Sequence, residues 1–189
     1  MSCDITNGRI EQCKDSVSGL KAIYFINYDD LNPDSGLTYV GVTDEIDTWE
    51  PSSAVISLYK YELKGANSFE TTINSSRDNG TTFFQQTLTI QLKRQDVTTH
   101  KNVKLLAYGR PRIVVRTMTD QFFLMGLTQG ADVTAGTVSS GTALGDFNGY
   151  NLTFEAMEVS PANFLDASNE TQLATLFAYD GTDAVIETT

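Results

Sequence analysis

The stretch "NSFETTINSSRDNGTTFFQQTLTIQLKR", Asn67 to Arg94, decides the fold class. Asn79-Gly80 supplies the positive backbone angles that a tight turn between two antiparallel strands requires. The outgoing arm then alternates over a long run. Phe84, Leu88, Ile90 and Leu92 share one face, and Gln85, Thr87, Thr89 and Gln91 share the other. A period of two over this length predicts a strand with one side on a core and the other on water. The wet side carries uncharged amides and hydroxyls, where an ordinary exterior carries Lys and Glu.

Working outward, the same period recurs. "KAIYFIN" (Lys21 to Asn27), "LTYVGV" and "AVISLYKYEL" (Ala54 to Leu63) read as strands between turn-rich segments such as "YDDLNPDSG". "RIVVRTM" and "QFFLMGL" predict a second hairpin about Thr119-Asp120, apolar on both faces over part of its length, as in the middle of a sandwich. "GYNLTFEAMEV" puts Tyr150, Leu152, Phe154 and Ala156 on one side and Asn151, Thr153, Glu155 and Met157 on the other. One helix stands out: Asp96 offers an N-cap to "VTTHKNVKLLAY", which Gly109 and Pro111 end. Val103, Leu106 and Ala107 mark its expected buried stripe. A short second helix near Glu170 to Tyr179 and a last strand in "GTDAVIETT" complete the prediction. The fold class expected is mainly β: a sandwich or partial barrel with a long hairpin and one flanking helix. It occupies 1–189 as a single domain, with an N-terminal arm (about 1–20) and a C-terminal extension (about 165–189).

The totals narrow the function. In 189 residues, 24 acids against 13 bases give a net charge of -11, which repels nucleic acid. Such a chain suits a surface that DNA must pass without sticking. The start, "MSCDITNGRIEQCKD", has no basic segment followed by an apolar run, so no signal peptide is expected, and no apolar run approaches a membrane span. Cys3 and Cys13 are expected to be free thiols in a reducing cytoplasm, with a bridge in a mature assembly as the alternative.

No catalytic pattern emerges. Gly136, Gly141, Gly145 and Gly149 lie in "GADVTAGTVSSGTALGDFNGYNLTF" and match no phosphate-binding loop, because a strand rather than a helix follows them. Asp146, Asn148 and Gly149 resemble a fragment of a calcium loop, without its downstream glutamate. His100 is the sole histidine and has no nucleophile pattern around it. The acids of "YDDL" and "TDEID" lie in turns with few apolar neighbours to raise their pKa. Arg110, Arg112 and Arg116 are the one basic cluster, read as salt bridges to acid-rich neighbours. The expectation is no enzyme, no cofactor and no metal.

Two stretches carry a resemblance. "KLLAYGRPRIVVRTMTDQFFLMGLTQGADVTAGTVSSGTALGDFNGYNLTFEAMEVSPANFL" and "CDITNGRIEQCKDSVSGLKAIYFINY" resemble structural proteins of tailed phages that infect Bacteroidetes, and most nearly tail-tube or tube-like proteins. The likeness covers a third to a half of the chain and rests on the order of features. It implies a ring-forming homo-oligomer, hexameric by family analogy, located in the virion and assembled in the host cytoplasm. Other virion proteins are its further partners, DNA is met only in transit, and no membrane is involved. A capsid decoration protein or a head-tail connector or completion protein with a β-sandwich fold is the alternative. On the tube expectation, Gln85, Thr87, Thr89 and Gln91 face the lumen. Gly136, Gly141, Gly145, Asp146, Asn148 and Gly149 form a subunit-contact loop, whose alternative is an ordinary connection between strands.

Overall fold

The computed structural model describes residues 8–188 except 12, 15 and 42. In chain order the strands are β1 (Leu20–Ile26), β2 (Leu37–Tyr39), β3 (Ile46–Trp49), β4 (Ser57–Glu62), β5 (Ser68–Ser76) and β6 (Thr81–Lys93). After helix α1 (Val97–Tyr108) come β7 (Arg112–Thr117), β8 (Phe122–Met125), β9 (Asp132–Ser139), β10 (Gly149–Glu158) and β11 (Asn163–Leu165). Helix α2 (Glu170–Leu176) and β12 (Val185–Glu187) close the chain. The fold is a two-sheet sandwich with flanking helices, and neither sheet closes into a barrel.

The larger sheet has the order β12-β4-β1-β7-β8-β11-β3-β2. Its centre, β1, β7 and β8, is largely buried on both faces, which explains why "AIYFI", "IVV" and "FFLM" are continuous apolar runs. On one face Tyr24, Trp49, Leu58, Val114 and Phe122 pack beneath α2, which contributes Leu173 and Leu176. On the other, Ile23, Ile113, Val115 and Met125 meet the four-stranded sheet β5-β6-β10-β9 through Leu88, Ile90, Leu152 and Phe154.

The hairpin read from Asn67–Arg94 forms as β5 and β6, in register from Ser68↔Thr89 to Ser76↔Thr81. Gly80 at its turn has φ +62°. The four expected inward residues of β10 are all buried. Beyond β10 the chain does not trail off as an extension: Leu165, Leu173, Phe177 and Ala184 are core residues. β12 adds to β4 in parallel. Of the N-terminal arm, the described residues before Leu20 form no helix or strand and are exposed up to Gly19. Cys13 is a free, exposed thiol, while Cys3 lies outside the described residues.

The basic cluster is spent on the fold. Arg116 pairs with Asp120 at 2.6 Å and with Glu170 at 2.8 Å. Lys60 also reaches Glu170 at 2.8 Å and Tyr24 Oη donates to it at 3.0 Å, so one carboxylate ties α2 to β1, β4 and β7. Desolvation pushes the Glu170 pKa up, but hydrogen bonds from Lys60 and Tyr24 and the nearby cations outweigh it, and the net shift is downward. Arg112 departs from the expected salt bridge. Its guanidinium is fully buried and donates to the carbonyls of Tyr28, Leu31 (3.0 Å) and Leu127 (2.9 Å), between the rings of Tyr28 and Trp49.

Candidate functional site

The outer face of the four-stranded sheet is where the expected lumen residues come together. Register sets Gln85 beside Thr72 and Met157, Thr87 beside Glu70 and Glu155, Thr89 beside Ser68 and Thr153, and Gln91 beside Asn151. β9 continues these rows with Asp132, Ala135 and Thr137. The outer face is thus mostly amides, hydroxyls and carboxylates, with Met157 and Ala135 as apolar members of these rows. Its one basic side chain among the described residues is Lys93, at the end of β6 beside Gly65. Thr89 is exposed, whereas Gln85, Thr87 and Gln91 are half-buried by their neighbours across the strands. Gln85 Nε2 leans 3.5 Å from Glu155 Oε2, and the Gln91 backbone N–H is taken by Asn67 Oδ1 at 2.8 Å.

Among the described residues, neither edge strand of this sheet, β5 or β9, has a further strand partner. β5 carries neither Lys nor Pro, only Glu70, across nine residues; β9 carries only Asp132. Such edges carry one acid each and no Lys or Pro; β9 has one register irregularity, between the Ala135 and Val133 pairings, and β5 has none. The glycine-rich pattern predicts a connection here, yet Val133, Thr134, Thr137 and Val138 give β9 strand character and it pairs along β10. Most of β9 is exposed. Gln95 Nε2 donates to the Ser139 carbonyl at 2.8 Å where α1 begins.

The glycines of that stretch answer to needs within the chain. A Cβ on Gly136 would come 3.0 Å from Leu152 Cδ2, one on Gly141 (φ +72°) 2.8 Å from Asp146 Cβ, and one on Gly149 2.0 Å from the Leu92 carbonyl oxygen. Gly145 has open space around it. Asn148 is exposed, with its carbonyl accepting from Arg94 N at 2.7 Å. Asp146 holds the loop shut: its Oδ2 accepts from the backbone N–H groups of Thr142 (2.8 Å) and Ala143 (2.7 Å). Those N–H bonds, Ala143 first, lower its pKa.

No family model, curated protein or solved structure matches the chain.

Three residues outside the expected set shape these surfaces. Gln86 is buried on the apolar side of β6, accepting at Oε1 from Gly126 N at 3.0 Å. Glu158 is buried at the end of β10, and its Oε1 accepts from Thr128 N (2.9 Å) and Gln129 N (2.8 Å). Leu144 stands fully exposed at the tip of the Asp146 loop. A polar residue at an inward register position was the available signal for the first two. Elsewhere, Phe25, Tyr28, Tyr61, Leu105 and Arg110 line an open groove of about 790 Å³ under α1. Among the described residues, no cluster of three or more metal-ligating side chains occurs, and no helix is long and apolar enough to cross a membrane.

Proposed function

We propose that the chain is the repeating subunit of a ring that lines a conduit, a tail-tube or tube-like protein of a tailed-phage virion. One observation carries this: a four-stranded sheet whose two edge strands hold no Lys or Pro and whose outer face is almost free of cationic side chains. Joining β5 of one copy to β9 of the next is a head-to-tail contact, and repeated around an axis it closes into a barrel. Six copies follow from the family its sequence resembles. The rows of Gln85, Thr87, Thr89 and Gln91 then face a water-filled lumen. Each lysine or arginine there would add a phosphate contact multiplied by the ring symmetry. Amides and hydroxyls stay wetted without gripping the backbone, and Glu70 and Glu155 keep the polymer off the wall. No cofactor and no membrane enter this role.

The test is to replace Thr87 and Gln91 by lysine in assembling particles. Both sites lie on the outer face, with Glu70 and Glu155 flanking Thr87, so folding is retained. Particles are expected to assemble but to eject DNA slowly, with the defect relieved by added salt. Normal ejection from particles that contain the lysine protein would put this face on the outside, as in a capsid decoration protein. Negative-stain images of the purified wild type add a second readout, rings or short tubes being expected.

A further inference from the structure

We propose that Asn79, at the tip of the β5–β6 hairpin, is a self-modification site, where the Gly80 backbone nitrogen converts the side-chain amide into a mixture of aspartate and isoaspartate. This chemistry is independent of the ring reading.

The reaction needs only water. With its proton taken up by hydroxide, the Gly80 nitrogen attacks Asn79 Cγ and forms a new N–Cγ bond. The side-chain nitrogen leaves as ammonia, taking a proton from water. The succinimide ring left behind adds one water and opens at either of its carbonyls. Opening at Cγ gives aspartate. Opening at the backbone carbonyl gives isoaspartate, in which the chain runs through Cγ and gains one carbon. The sum is an amide and water going to a carboxylic acid and ammonia. That acid is ionised at neutral pH, so each event adds one negative charge to a chain that carries -11.

The fold leaves this bond free to react. Arg77, Asp78, Asn79 and Gly80 make the turn, and all of them are exposed. The Asn79 N–H donates to Ser76 Oγ at 3.3 Å, which fixes the turn ahead of the reacting bond and not the bond itself. Among the described residues, no hydrogen bond takes the Gly80 N–H or the Asn79 side-chain amide. Gly80 has φ +62°, with nothing within 4 Å of where its Cβ would stand. Rotation about Asn79 therefore brings Cγ over the Gly80 nitrogen without breaking a contact, and a lengthened turn has room to close again.

Asn148-Gly149 offers the same two residues in a setting that forbids the step. Asn148 is exposed as Asn79 is, so exposure does not separate them. Its carbonyl accepts from Arg94 N at 2.7 Å, and Gly149 is buried at the start of β10, opposite Lys93 of β6 and Ser139 of β9. The place of a Gly149 Cβ lies 2.0 Å from the Leu92 carbonyl oxygen, so the backbones of β6 and β10 are in close contact there. Swinging the peptide between Asn148 and Gly149 onto the side chain breaks the Arg94 bond and pulls the end of β10 out of the sheet. Asn148 reacts only when that end opens.

The test follows the full-length wild type by peptide mass mapping during incubation at mildly alkaline pH in water enriched in heavy oxygen, which labels every hydrolysed amide. Label is expected in the Asn79 peptide at least about tenfold faster than in the Asn148 peptide, the margin set by the opening that Asn148 requires. In concentrated urea the two rates should converge, because the unfolded chain presents the same chemistry at both places. The aged Asn79 peptide should also accept a methyl group from an isoaspartate methyltransferase. Asn79→Gln, in an exposed turn, should keep the wild-type thermal midpoint and abolish both signals in that peptide. Asn7-Gly8, which begins outside the described residues, falls in a separate peptide and stays out of the comparison. Equal labelling of Asn79 and Asn148 in the folded protein, or labelling of Asn79 that waits for urea, overturns the proposal.

Discussion

A primary amide inside a protein core is tolerated only when its ends are used. Gln86 meets that condition: Oε1 takes the N–H of Gly126, and Nε2 lies 3.5 Å from the Ser160 carbonyl. It thereby pins the middle of β6 to the turn after β8, across the two sheets, where Gly126 has φ +74°. Gln86→Leu keeps the bulk but leaves the Gly126 N–H without its acceptor, which costs about 1–3 kcal/mol. Urea unfolding should show a lower midpoint with an unchanged slope; an unchanged midpoint would mean that water replaces the amide. In the sequence, the apolar row Phe84, Leu88, Ile90, Leu92 skips position 86, and the gap is visible. What alternation leaves out is the partner, which lies 40 residues away on another sheet. Leu144 was illegible for a similar reason. Its exposure follows from the Asp146 side chain closing the loop, a contact that no periodicity encodes.

At the scale of elements, long alternating or continuous apolar runs were readable and short ones were not. β6 and β10 announce themselves by period two, and β7 with β8 by runs that only a sheet covered on both sides accepts. β3 and β11 have four and three residues, and they pair with each other in parallel through Leu165↔Ile46, a partnership set by tertiary packing alone. Helix α1 is the instructive case. Its ends agree with the sequence: Asp96 Oδ1 accepts from Thr99 N at 2.9 Å and Gly109 N donates to the Leu105 carbonyl at 2.9 Å. Its face does not. Val103 and Leu106 are half-buried, Ala107 is exposed, and none of its residues is fully buried. Asn102 instead faces inward enough to donate to Tyr61 Oη at 3.0 Å. A helix held by caps and a few half-buried side chains opens without unfolding the sheets. Hydrogen exchange should therefore release the α1 amides well before those of β1 and β7. Protection of α1 equal to that of β1 would show the helix to be part of the cooperative core.

For the whole molecule, the acid excess was plain in the sequence, but its distribution was not. Arg116, Lys60 and Lys21 are engaged with Glu170, Glu62 and Asp120 within the chain, while the 24 acids outnumber all 13 bases and give the field outside its sign. The strand edges proposed to join copies are lightly charged, with one acid each on β5 and β9. Association then works against a general repulsion while using backbone pairing and apolar burial at the contacts. The two kinds of interaction respond to salt in opposite ways. Raising ionic strength from 0.1 to 1 M shortens the screening length from about 10 Å to about 3 Å, which removes the repulsion and leaves strand pairing and apolar contacts in place. Sedimentation velocity at fixed protein concentration should accordingly show larger assemblies as sodium chloride is raised. Were copies held together by ion pairs between acidic loops and a cationic face, the same titration would take them apart. Dissociation with salt would therefore refute the assignment of the β5 and β9 edges as the joining surfaces.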